Sequence, residues 1–165
     1  MYVVEIHVDE AAGGPVDTEP MRRAALEVLG GQRIEGRCEL AVMVTGDVAV
    51  QELNRRHRGV DATTDVLAFA AVDDPVGPFI DASEAPRYLG DIVISLERAA
   101  AQAADAGHDV GAELQLLVVH GVLHLLGYDD QSDGHRTKMW AAQAEALDAL
   151  GLDINPPLQA CHLNL

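Results

Sequence analysis

From His120 to Asp130 the chain reads HGVLHLLGYDD. Two imidazoles stand four residues apart in an otherwise apolar run, a glycine follows the second, and two carboxylates close the stretch. In a helix, residues four apart differ by about 40° around the axis, so His120 and His124 project from one face and can reach one ion. The two histidines of the zinc-binding run HExxH are arranged in this way. The competing reading is a core helix with two satisfied histidines. It requires two separate buried partners, which the apolar neighbours do not supply.

The residues that follow favour the metal. In the longer zinc run HExxHxxGxxH the glycine comes seven residues, and the last ligand ten, after the first histidine; those places are held here by Gly127 and Asp130. A glycine lets the chain leave the helix sharply, so that a residue beyond it can fold back towards the ion. A carboxylate oxygen is an accepted third zinc ligand. Asp129 and His135 compete for that role, and the spacing favours Asp130. Three protein ligands leave a coordination position open, as in catalytic rather than structural sites. The expected cofactor is one divalent ion per chain, zinc first, with other divalent metals admitted by the hard oxygen of Asp130. Gly121 stands where a zinc peptidase keeps the glutamate that activates water, so the metal pattern survives without the proteolytic base.

The second group of residues is RRHR, Arg55 to Arg58. The chain has a formal net charge of -16 and only 11 lysines and arginines, so three arginines beside one histidine are a marked concentration. An acidic chain lacks the broad basic surface on which nucleic-acid binding normally rests. The tetrad is either a local positive site or a solvated helix end, where basic residues favour the dipole.

These residues need elements to carry them. Tyr2 to Val8 alternates and is β-branched, a first strand. Thr18 and Pro20 open a helix ending at Gly30-Gly31. Cys38 to Val44 is apolar on both of its faces, as in a sheet covered by helices on each side. Asp47 is expected to cap a helix on which Val50, Leu53 and His57 share a face. Asp65 to Ala70 and Gly90 to Ser95 are two more strands, separated by a proline-rich acidic segment expected as a surface loop or irregular hairpin. Ser95 caps an alanine-rich helix ending near Gly107. Asp109 begins the histidine helix, which Gly127 stops, and Ser132 or Asp133 caps a last helix ending at Gly151. The order predicts a single α/β domain with a small mixed four-stranded sheet and surrounding helices, covering residues 1–151, with a proline-broken tail over 152–165.

No stretch is long and apolar enough for a bilayer, and the N-terminus lacks a basic signal region. Cys38 and Cys161 have no CxxC spacing, which predicts a reducing compartment without disulfides. A cytoplasmic protein is expected.

The motifs resemble a known family. HGVLHLLGYDD is similar to the HGxLHLxGYDH run of YbeY, the bacterial rRNA maturation factor and single-strand-specific endoribonuclease. LNRRHRGVDATTDVLAF (Leu53 to Phe69) resembles that family's LNxxYRxxDxPTDVLSF, and LGDIVIS (Leu89 to Ser95) its LGDIxIS. The resemblance implies a zincin-like metal site on a small mixed sheet and action on ribosomal RNA during small-subunit maturation. It implies metal binding by His120 and His124, with Asp130 where most members carry a third histidine, and an active-site role for Arg58. Thr63 and Ala70 depart from prolines usual on either side of the third strand.

RNA cleavage needs charge stabilisation on a crowded phosphate, a nucleophile and help for the leaving group. Arg58 can donate two parallel hydrogen bonds to non-bridging oxygens and is assigned to phosphate binding and transition-state charge. Arg55 and Arg56 are at most backbone contacts. Thr64 and Asp65 are expected to line the cleft; Asp65 equally suits bracing a loop, and Asp91 is either support for the site or a loop acid. The nucleophile is an activated water or the RNA's own 2'-hydroxyl, and His57, His135 and Tyr128 are the candidate general acids. With two Phe, three Tyr and one Trp the chain is poor in the aromatics that read single-stranded bases. Specificity is therefore expected from context: partners are ribosomal RNA and small-subunit components, with no DNA, no membrane and a monomeric chain. The readings from other classes are an assembly factor with a purely structural metal and, disfavoured by Gly121, a metallopeptidase.

Overall fold

The computed structural model describes residues 1–71 and 86–154. Its elements in chain order are β1 (Tyr2–Val8), a short 3-10 turn (Glu10–Ala12), α1 (Glu19–Gly31), β2 (Cys38–Thr45), α2 (Asp47–Arg58), β3 (Val66–Ala70), β4 (Arg87–Ser95), α3 (Leu96–Ala106), α4 (Val110–Leu125) and α5 (Asp133–Ala149). One four-stranded sheet has the order β1-β2-β4-β3. The first three of these run parallel and β3 pairs antiparallel to β4 at the edge. This is the small mixed sheet expected from the sequence.

Period-two alternation sorts the strands. Val4, Leu40, Val42, Val44, Ile92 and Ile94 are buried on the face that meets α1 and α4. The other face is covered only in part. α2 packs over β3 and β4, where Val50 joins Leu67 and Val93, flanked by Leu53 and Phe69. On β2, between His7 and Val93 in register, Met43 is 42% exposed. Burial of β2 on both faces therefore holds for one face only: Met43 is apolar, yet α2 lies over the neighbouring strands.

α4 is apolar all round, the composition of a helix enclosed by other elements. α1, α3, α5, β3 and β4 all pack on it, and 12 of its residues are buried. Asp109 accepts from the Ala112 N–H at 2.7 Å to start it, and Gly127, at φ +99°, turns the chain away. Ser95 accepts from the Arg98 N–H at 3.3 Å and Ser132 from the His135 N–H at 3.2 Å, capping α3 and α5 as expected.

Asp47 does not cap α2. Gly46 takes the cap position, and the helix start is satisfied from elsewhere: the Asp47 N–H donates to Glu97 Oε1 at 3.1 Å. The Asp47 carboxylate instead accepts from Ser95 Oγ at 2.5 Å and Thr63 Oγ1 at 3.2 Å, with Arg98 at 3.6 Å. It ties the starts of α2 and α3 together.

Residues 72–85, most of the expected surface loop, lie outside the described residues, as do 155–165 of the tail with Cys161. Arg87 and Tyr88, read as part of that loop, belong to β4. Leu152 and Ile154 pack against the core. Cys38 is a buried free thiol. Among the described residues no helix is long and apolar enough to cross a membrane.

Candidate active site

Two glycines let α4 settle close to the sheet. A Cβ on Gly121 would stand 3.0 Å from two side-chain atoms of Ile92, so the helix backbone rests directly on the Ile92 side chain there. Gly90, at φ +139°, lies where a Cβ would collide with the Phe69 carbonyl oxygen and press on Leu125. Gly121 thus has a packing reason as well as the chemical one read from the sequence.

On this helix His120 and His124 share a face. Their Nε2 atoms are 3.0 Å apart and their ring centroids 4.7 Å apart. His120 is 1% exposed, and its Nδ1 lies 2.8 Å from Oε1 of Gln143 on α5, which has no exposed surface. Burial, then the neighbouring His124, pushes the His120 pKa down to about 3. His124 is pushed down to about 4, first by burial; Asp130 and Asp129 pull it up and Arg58 pushes it further down. Both rings are neutral at pH 7, the form in which imidazole binds metal.

The same interactions place the remaining groups around His124. Asp130 exerts the largest charge effect on it, ahead of Arg58 and Asp129. The Asp129 carboxyl is held below its usual range, first by the Gln131 N–H, with His135 Nδ1 2.9 Å away also lowering it. The guanidinium of Arg58 donates to the Ala68 carbonyl of the edge strand at 3.3 Å. Arg55 and Arg56 are spent on Glu52, at 2.7 and 3.0 Å. Among the described residues Arg58 has no ion pair, and of the three arginines in the tetrad it is the one whose charge acts on His124.

Two imidazole nitrogens bound tetrahedrally at about 2.0–2.1 Å would lie about 3.3 Å apart, close to the spacing found here. The pair fits two positions of a divalent ion. A third donor is not closed in: among the described residues no three His, Cys, Asp or Glu side chains form a metal-holding group. Asp130 is beside His124 in charge but not gathered with the pair into such a group.

Other expected site residues sit elsewhere. Thr64 and Asp65 are 8% and 4% exposed. Thr64 donates to Asp65 at 3.2 Å, the Val66 N–H donates to Asp65 at 2.8 Å, and Gln102 of α3 also bonds it. Their side chains are built into the junction of β3 and α3, because burial there leaves the carboxylate dependent on those donors. Asp91 points to the opposite face from Ile92 and accepts from the Tyr88 hydroxyl at 2.5 Å. Of the candidate acids, Tyr128 donates to Gln32 at 2.7 Å and His57 packs on Phe69 with centroids 5.1 Å apart, while His135 stays beside Asp129. Gln143 was missed, since nothing around it in the sequence marks a polar residue for burial.

Fold and site together define a single-domain α/β protein with a paired-histidine helix laid against a mixed sheet. The solution structure of TM1509 from Thermotoga maritima has this fold, with a TM-score of 0.60, 22% identity and 99% coverage of both chains. Residues 10–151 match the family model described as Endoribonuclease YbeY. The chain is 45% identical over 153 residues to the Endoribonuclease YbeY of Chloroflexus aurantiacus, covering 92% of this chain and 97% of that protein. It is 41% identical over 160 residues to that of Listeria innocua, with 93% and 99% covered. This chain belongs to the endoribonuclease YbeY family.

Proposed function

We propose that the chain is a metal-dependent, single-strand-specific endoribonuclease acting in the cytoplasm on ribosomal RNA during small-subunit maturation. The observation that carries this reading is Arg58, without an ion pair among the described residues, whose charge acts on His124 of a neutral histidine pair with Nε2 atoms 3.0 Å apart. His120, His124 and Asp130 would hold the ion, zinc first, in a zincin-like site. A bound dication supplies charge for a phosphoryl oxygen and a water of lowered pKa. Arg58 presents a planar fork to the phosphate and opposes the charge that grows on it. Thr64 and Asp65 act by holding β3, not by touching substrate.

The test is metal content and cleavage of an unstructured RNA by tag-free wild type, His124→Ala and Asp130→Ala. About one divalent ion per chain is expected in wild type, with loss of both metal and cleavage in each variant. Full metal retention in Asp130→Ala overturns the third ligand and moves the role to His135. A metal-loaded wild type that does not cleave favours an assembly factor with a structural metal.

An acidic monomer with one local cationic site binds free RNA weakly, so small-subunit components supply much of the affinity. Two or three phosphate contacts imply a log–log salt slope of about -1.4 to -2.1. A slope expected of six or more contacts refutes this part of the reading.

A further inference from the structure

Gln143 shares the inward face of α5 with Met139, Ala146 and Leu147, all buried. It is a polar residue in an apolar row, and its amide oxygen faces His120 Nδ1 at 2.8 Å. An amide oxygen only accepts, so the ring nitrogen opposite it carries the hydrogen. His120 is then the Nδ1–H tautomer, with a lone pair on Nε2. The next contact is compatible with this: with a lone pair on His120 Nε2, the hydrogen between the two nitrogens, 3.0 Å apart, lies on His124 Nε2 in the metal-free protein. It must leave that nitrogen before both lone pairs can meet an ion. The hydrogen bonds therefore run in one direction, from His124 to His120 to Gln143.

We propose that Gln143 is the positioning residue of the pair, fixing the His120 tautomer so that its Nε2 lone pair is presented to a divalent ion. This rests on the metal reading above. Partners behind metal-ligating imidazoles are commonly carboxylates, carbonyls or waters; here a neutral amide serves. It adds no negative charge behind the site, which leaves more of the ion's positive charge to meet a phosphodiester. Gln143 touches neither substrate nor ion, and acts through the ring of His120.

The experiment uses the full chain, metal-free and zinc-titrated at pH 8, as wild type, Gln143→Met and Gln143→Glu. Long-range proton–nitrogen spectra of the metal-free protein report the tautomer, and a competing chelator reports the zinc affinity. In wild type, His120 is expected to show a protonated Nδ1 and an unprotonated Nε2. Gln143→Met removes the acceptor without much change of volume; His120 then populates both tautomers and zinc affinity falls about 10- to 100-fold. Gln143→Glu restores the acceptor, the tautomer and tight binding. A wild-type His120 protonated on Nε2 overturns the inference by itself, even if Gln143→Met does not fold. So does a folded Gln143→Met protein that keeps the wild-type tautomer or the wild-type affinity. A wild type with the expected tautomer but no zinc affinity sinks the metal reading and, with it, the purpose assigned to Gln143.

Discussion

Gly121 and Ile92 are packed so closely that one methyl group added to the helix would press on the strand, 3.0 Å from two Ile92 atoms and 3.2 Å from a third. The lost glycine would bring about 1 kcal/mol of helix propensity. Overpacking of a filled core costs about 1–3 kcal/mol. Gly121→Ala is therefore expected to be destabilised by up to about 2 kcal/mol in urea unfolding. In a double-mutant cycle with Ile92→Ala, the pair should couple favourably by more than about 0.5 kcal/mol. Additive effects would show that the contact relaxes at no cost.

Arg58 is exposed and bonded to a backbone carbonyl, so its removal should leave stability within about 0.5 kcal/mol of wild type. Arg58→Ala and Arg58→Lys are each expected to lose about 100-fold or more in cleavage of single-stranded RNA. Lysine keeps the charge but not the fork. Arg55→Ala, which removes one of the two arginines paired with Glu52 and leaves Arg56 on it, serves as the control and should stay near the wild-type rate. Equal activity of both Arg58 variants and wild type would return Arg58 to the solvated helix end.

The two histidines make the metal-free fold acid-sensitive. Their pKa values fall from 6.5 in the unfolded chain to about 3 and about 4 in the folded one. Between those limits the unfolded state binds more protons, so stability is full above pH 6.5 and declines as the pH falls towards 4. Urea midpoints measured across that range should fall steeply for wild type. For His120→Gln/His124→Gln the slope should be shallower, and an equal slope would remove the histidines as its cause.

Asp65 works in the opposite sense. Burial raises its pKa above 3.8 against the pull of Gln102, Val66 and Thr64. Its contribution to stability is full below pH 3.8 and is lost as the pH rises through the folded value. The cost of Asp65→Asn should therefore be larger at pH 4.5 than at pH 8, while RNA binding is unchanged. Weakened RNA binding in a fully folded Asp65→Asn protein would bring this residue back to the cleft.

The four strands were legible because β-branched runs carry their own period, and the histidine helix because Asp109 and Gly127 mark its ends chemically. What stayed hidden was decided across long sequence separations. Asp47 looks like a local cap, but its partners are Ser95, Thr63 and Arg98, brought in by β3, β4 and α3. Met43 is apolar whether or not a helix covers it. The spacing of His120 and His124 is visible in the sequence, whereas the oxygen that orients His120 comes from 23 residues away on another helix. Among the arginines, residue type alone could not separate Arg58 from Arg55 and Arg56; only the helix geometry assigns Glu52 to the latter two.

The enclosure of α4 has a kinetic meaning. A helix packed by α1, α3, α5 and two strands, with 12 of its residues buried, is expected to expose its backbone only when much of the fold opens with it. Its amides belong to the slowest-exchanging part of the molecule, released only with the whole fold. The histidines are thus mounted on a deeply buried element, while residues 127–135 and the end of α2 are more exposed. An ion or RNA held there would enter and leave by motions of the rim around a fixed centre.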